Sequence, residues 1–353
     1  MRKSFTRRSA AFTGLALVAG FALAGCGSVG DTGGSDADAG AGADGKYDIV
    51  LVSKVEGISW FEAMNEGVVQ FNEDYTDQVN ARQTGPDTGD PAKQVQIVED
   101  LIAQGVDAIV VVPNDPQSIA PVLKKARDAG IVVVTHEAPA LVETESIDYD
   151  VESFDNVVFG EGLAENLAEQ MGGEGQFIGM VGSLTSETHM AWYNAAVDYF
   201  TANYPNIDVV ADQPYEDDND DAKARANAEE IVRAYPDLKG YIGTSVSAGS
   251  NFAQILKEKN LDGVSTSVLS LPSVAGPYLE EGWLGYAQTW SPGSAGYVAS
   301  LVALNVLEGK KIATGDDFGQ EGYESVVVDG KLVTGDAIMK IEKGTFAPGE
   351  YPF

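Results

Sequence analysis

From Tyr47 onward, short runs of β-branched residues alternate with amphipathic stretches of ten to eighteen positions. The runs 47–53 (YDIVLVS), 79–83 (VNARQ), 107–112 (DAIVVV) and 131–135 (IVVVT) read as strands. Helical periodicity falls at 60–74, 90–104 and 117–129, and Gly105 and Gly130 supply two stop signals. A run such as IVVVT is apolar on both faces, as a strand must be in a parallel sheet covered by helices on both sides. A second series places strands at 176–181, 207–212, 240–244, 265–270 and 285–289. Helices at 153–171, 187–203, 220–234, 247–258, 274–281 and 294–308 fill its gaps. The pattern predicts an α/β protein with two doubly wound parallel-sheet lobes. Loops at the carboxyl ends of parallel strands line a ligand crevice, so two facing lobes predict one site between them.

The first 46 residues break this pattern. Arg2, Lys3, Arg7 and Arg8 precede the apolar run AAFTGLALVAGFALAG (10–25), the profile of a signal peptide. The run is shorter than the roughly 20 apolar residues that span a bilayer. It ends in Leu23-Ala24-Gly25-Cys26, which resembles the bacterial lipobox, in which the cysteine is acylated and becomes the first residue after cleavage. Arg7-Arg8 sits in a loose context, so general secretion is favoured over twin-arginine export. Residues 26–45 hold no aromatic residue and read as a flexible tether.

Charge and composition narrow the function. The chain carries 54 acids against 22 bases, a net charge of −32, and cleavage after residue 25 removes four bases and no acid. Such a surface disfavours nucleic acid as a partner. Cys26 is the only cysteine, which excludes an internal disulfide, a CxxC pair and a thiolate zinc site. The sequence lacks GxSxG and GxxxxGK[ST], and Gly160-Glu161-Gly162 falls inside a predicted helix, so no enzyme is expected. The run Asp217-Asp218-Asn219-Asp220-Asp221 has the spacing of a calcium loop, but Ala222 and Ala228 stand where Gly and Glu are needed. It reads instead as a solvated loop capping the next helix. The two histidines, His136 and His189, come from different lobes without metal-ligand spacing, and no metal or cofactor is expected.

The stretch 85–137, with LPSVAGPYLEEGW (271–283), TWSPGSAGY (289–297) and the terminal EYPF, resembles the ribose-type sugar-binding receptors of ABC importers. These have the type I periplasmic binding protein fold, and the likeness points to the rhamnose-binding and autoinducer-2-binding branch. The resemblance implies a three-segment hinge with crossings near 150, 290 and 323. The first lobe is then 46–150 plus 290–322, and the second 151–289 plus 323–353. It further implies a monomer, lipid-anchored outside the cytoplasm, that delivers a small sugar to a membrane permease and its ATPase. A receptor that presents its closed form to a membrane sensor is the other class this pattern fits.

Ten residues form the expected site. Lys54 ends the first strand, and the matching lysine of the autoinducer-2 branch binds ligand oxygen. Trp60 and Phe61 open the following helix, where a ring can stack on a sugar's C–H face or join the core. Asp115 either accepts hydroxyls or caps the next helix. Glu137 follows the fourth strand, where the branch places a ligand-binding aspartate; a carboxylate accepts strong, charge-assisted hydrogen bonds from hydroxyls. Thr188 and His189 stand where the branch has an Asp-Gln pair, a different donor set that argues against autoinducer-2 itself. Thr244 and Ser270 end strands where ribose-type relatives make polar contacts. Trp290 lies at a hinge crossing, open to stacking or to packing. With Lys54 the only base, a neutral monosaccharide or deoxysugar is expected.

Overall fold

The computed structural model describes residues 45–344. The signal segment, Cys26, the tether up to residue 44 and the terminal 345–353 lie outside the described residues. The chain begins with β1 (Tyr47–Val52), α1 (Ser59–Asp74), β2 (Val79–Thr84), α2 (Pro91–Gln104), β3 (Ala108–Val111), α3 (Pro116–Asp128), β4 (Val132–His136) and β5 (Tyr149–Glu152). Next come α4 (Asn156–Met171), β6 (Glu174–Val181), α5 (Glu187–Asn203), β7 (Asn206–Val209), β8 (Tyr215–Glu216) and α6 (Asp221–Ala234). The series continues with β9 (Leu238–Gly243), α7 (Val246–Lys259), β10 (Ser265–Leu269), α8 (Pro272–Glu281) and β11 (Tyr286–Thr289). It closes with α9 (Pro292–Leu307), β12 (Val327–Asp329), β13 (Leu332–Thr334) and β14 (Met339–Lys340).

Two sheets result. One runs β12-β13-β5-β4-β3-β1-β2 and the other β14-β11-β10-β9-β6-β7, with β8 also paired to β6. Every pairing is parallel except β12 with β13 and β11 with β14. All of β3 is buried because helices cover both faces of its sheet. The order reverses beside β1 in the first sheet and beside β6 in the second, so the carboxyl ends of β1, β3, β6 and β9 meet at switch points, where α/β sheets bind ligands. Local signals set the helix ends: Asp90 caps α2 through the Ala92 amide, Pro91 opens it, and left-handed Gly105 ends it.

The structure departs from the sequence reading at the third crossing. The stretch from 323 was expected in the second lobe, yet Leu332–Thr334 pair in parallel with Asp150–Glu152 of the first sheet. The open edge of β5 takes this strand, so the chain passes to the second sheet between Thr334 and Met339. Strand β5 itself was not expected, because its YDVE is half acidic. One oxygen of each acid is hydrogen-bonded: Asp150 Oδ1 accepts from Thr135 Oγ1 at 2.6 Å and from the Ala138 amide at 3.1 Å, and Glu152 Oε2 accepts from Asn156 Nδ2 at 2.8 Å.

Helix α9 follows the second crossing and packs on α1, β1, β3 and β4 of the first lobe. The α1–α9 approach is so close that a Cβ on Gly67 would lie 1.9 Å from the Gly293 carbonyl oxygen. Gly67→Ala must push two helix backbones apart, and about 1–3 kcal/mol of stability should be lost. Urea unfolding checks this, and a loss below about 0.5 kcal/mol, the scatter of neutral surface substitutions, would disprove the packing constraint.

Candidate functional site

Lys54 lies just beyond β1 with 2 % of its surface exposed, and a cation so buried requires a partner. Its Nζ donates to Glu137 Oε2 at 2.5 Å and to Ser186 Oγ at 3.3 Å. Glu137 follows β4, and its φ of +63° is left-handed, a conformation costly for a residue with a Cβ. That turn brings the carboxylate to Lys54. Thr188 Oγ1, from the first turn of α5, donates to the same Oε2 at 3.0 Å. Burial is the largest influence and would raise the Glu137 carboxyl, but the Lys54 charge, the nearby His136 and His189 rings and the Lys54 hydrogen bond together outweigh it and hold the group at about 2. The Glu137 carboxyl is therefore ionised throughout the physiological range.

The amino-terminal end of α5 brings second-lobe groups onto the first lobe. Besides Ser186 and Thr188, Glu187 Oε1 accepts from the Ala140 amide at 2.8 Å, and Thr185 Oγ1 donates to the Asn114 carbonyl at 3.4 Å. The two lobes thus meet around the buried ion pair. Between them lies a narrow cavity of about 20 Å³ lined by Lys54, Ile58, Trp60, Phe61, Glu137 and Trp290, and by His189, Asn219, Ser245, Val246 and Leu269. That is room for about one water molecule, so a larger ligand is admitted only as the lobes part.

Trp290 is the hub of the apolar wall. Its ring centroid is 4.5 Å from that of Trp60 in an edge-to-face contact, 5.0 Å from Phe154 and 5.5 Å from Trp192. It thereby joins hinge packing and cavity lining, the two roles the sequence left open. Its buried Nε1 is without a hydrogen-bond partner among the described residues, as is Thr244 Oγ1. His189 Nδ1 accepts from the Gly182 amide at 3.1 Å, which places the ring proton on Nε2. Burial, then the Lys54 charge, lowers this imidazole to about 3, so it is a neutral donor.

The structure thus gathers six expected residues, Lys54, Trp60, Phe61, Glu137, His189 and Trp290, around one cavity. Thr188 stands behind Glu137. Asp115 is absent from the lining: its side chain caps α3, accepting from the amides of Gln117 at 2.9 Å and Ser118 at 3.3 Å. The inward residue of that loop is Asn114, whose Nδ2 donates to the Lys54 carbonyl at 2.7 Å. Thr244 and Ser270 are buried beside the lining, which takes their neighbours Ser245 and Leu269 instead. Asn219 was missed because it lies in the acidic run, whose charges signal solvent. The described residues hold no His, Cys, Asp and Glu grouping able to bind a metal ion.

Two α/β lobes that enclose a polar and aromatic cavity form an architecture suited to holding a small solute. The family described as "Periplasmic binding protein domain" matches residues 49–311, and the chain belongs to it. That membership implies an extracytoplasmic location. The chain is 29 % identical over 199 residues to the D-ribose/D-allose-binding protein of Pseudomonas aeruginosa, covering 55 % of this chain and 61 % of that protein. It spans less than two thirds of the length of the first curated relatives it matches. In fold it is similar to an ABC transporter solute-binding protein of Clostridium phytofermentas with bound L-rhamnose, with TM-score 0.77 and 19 % identity over 86 % of this chain and 98 % of that one. A comparable likeness, TM-score 0.77 and 20 % identity over 87 % and 100 %, holds for LsrB of Clostridium saccharobutylicum in complex with AI-2.

The ion pair gives a test by removal of one partner. Lys54→Met leaves Glu137 buried without its cation and should cost about 3–5 kcal/mol, most of it regained in Lys54→Met/Glu137→Leu. In the native protein the lowered carboxyl adds stability that is complete above pH 4.5 and is lost as pH falls toward about 2. In Lys54→Met, burial raises the folded value above 4.5, so stability should instead fall as pH rises beyond that point. Unfolding curves from pH 4 to 8 read this slope, about which an unchanged sign would be decisive against the pair.

Proposed function

We propose that this protein is an extracytoplasmic solute-binding lipoprotein that captures a small sugar or related polyol between its lobes and delivers it, as a monomer, to an ABC importer. The observation that carries the reading is the cavity between the lobes, where an ionised carboxylate and neutral donors face three aromatic rings. Sugars present this combination, with hydroxyls for Glu137 and His189 and a C–H face for Trp60, Phe61 or Trp290. A ligand held by both lobes stabilises their approach, and a permease can read that shape. Relatives and structural neighbours named for ribose, allose and rhamnose support the sugar class. Anchoring is proposed through diacylglycerol on Cys26, since a single acyl chain holds a protein only marginally.

The test is to unfold and refold residues 46–353, which strips bound ligand, and to screen pentoses, hexoses, deoxyhexoses, polyols and autoinducer-2 by thermal shift. At least one neutral sugar or polyol should raise the melting temperature, and Glu137→Ala should abolish the shift. If no member of the panel does so, the sugar reading falls. In cells, Cys26→Ser should move the protein from the membrane fraction to the soluble one without altering ligand affinity, as measured by titration of the purified protein. Continued membrane retention would remove the anchor.

A further inference from the structure

One carboxylate of the acidic run is not a surface group. Asp217, directly after β8, is fully buried, while the Asp218 side chain is half exposed. Asp217 does not line the cavity, yet it holds two residues that do. Its Oδ2 accepts from Ser245 Oγ at 2.5 Å and its Oδ1 accepts from the Asn219 amide at 2.8 Å. The second bond sustains two successive left-handed residues, Asp218 at φ +56° and Asn219 at φ +55°, which turn Asn219 toward the cavity. The chain is also fixed from below, since the amides of Asp217 and Asp218 donate to the carbonyls of Val181 and Gly182.

Ser245 has a single proton to donate. Its Oγ already accepts from the Ala248 amide at 3.0 Å as the cap of α7, and its proton is committed to Asp217. Toward the cavity it therefore offers a lone pair. We propose that Asp217 is a positioning residue for ligand binding, which as a carboxylate fixes Ser245 as an acceptor and Asn219 in its left-handed turn. On protonation Asp217 instead donates to Ser245 Oγ, and the serine hydroxyl proton turns free.

Burial pushes the Asp217 carboxyl up to about 7, against the hydrogen bonds from Ser245 and Asn219. Charged groups facing it are Asp218 and Lys223 at the start of α6; Tyr241 on β9 is held neutral by its own burial. His189 and Glu137, lowered to about 3 and about 2, do not titrate in this range. A ligand hydroxyl that donates to Ser245 then binds more weakly as pH falls through about 7.

This deepens the proposed sugar reading, and the experiment separates the two. The full-length mature protein is titrated with D-ribose, D-xylose and L-rhamnose, following the fluorescence of Trp60 and Trp290, at pH 6 and pH 8. Affinity for the sugar that binds should fall about tenfold from pH 8 to pH 6, the loss of one hydrogen bond from a ligand hydroxyl to Ser245. Asp217→Asn, a neutral isostere, should show the weaker affinity at both pH values. Its effect should be non-additive with that of Ser245→Ala. A native affinity or an unchanged pH profile in Asp217→Asn overturns the proposal. If none of the three sugars binds, amide hydrogen exchange of the ligand-free protein decides it alone: Asn219 should exchange about tenfold faster in Asp217→Asn, and equal exchange is the overturning result.

Discussion

A buried cation and a buried carboxylate cannot be held apart at low cost, and this constraint organises the protein. Lys54 stands beyond β1 and Glu137 beyond β4, the latter in a left-handed turn that a non-glycine residue adopts only under compulsion. Ser186 and Thr188, from the other lobe, complete their hydrogen bonds. The ion pair therefore belongs to the first lobe, but its satisfaction belongs to the junction of both.

Around this pair the hinge is built from aromatic packing and strand exchange. Trp290 touches Trp60 of α1 and Trp192 of α5, so a single indole senses both lobes. The chain crosses next to it, and crosses again after β13 has covered the edge of β5. A residue that packs the hinge and lines the cavity couples occupancy to lobe geometry through direct contact, with no long pathway required.

The legible parts of the site were those fixed by strand ends. Lys54, Glu137 and Trp290 each follow a strand of a parallel sheet, and the carboxyl end of such a strand faces the crevice whatever the loop does. Of the two roles open to Asp115 the structure shows the cap, because a residue before a helix-opening proline is claimed by the helix end, and its neighbour Asn114 turns inward. Asn219 and Asp217 were hidden by composition. Five acidic or amide residues in a row look solvated, and nothing in their order tells which side chain is drawn inward.

Periodicity, the chain's long apolar runs and the strand-end positions fixed the α/β class, the two-lobe organisation and the candidates at the cleft, since these depend on local burial and on the two-fold and 3.6-fold repeats of strand and helix. Other features depended on contacts between residues far apart in the chain. Pairing of β13 with β5, closure of α5 onto the Lys54–Glu137 pair, and burial of Asp217 beneath Ser245 are settled by which surfaces exclude water from one another. Burial determines whether an acid is a solubilising charge or a tuned acceptor, and burial is a property of the assembled lobes.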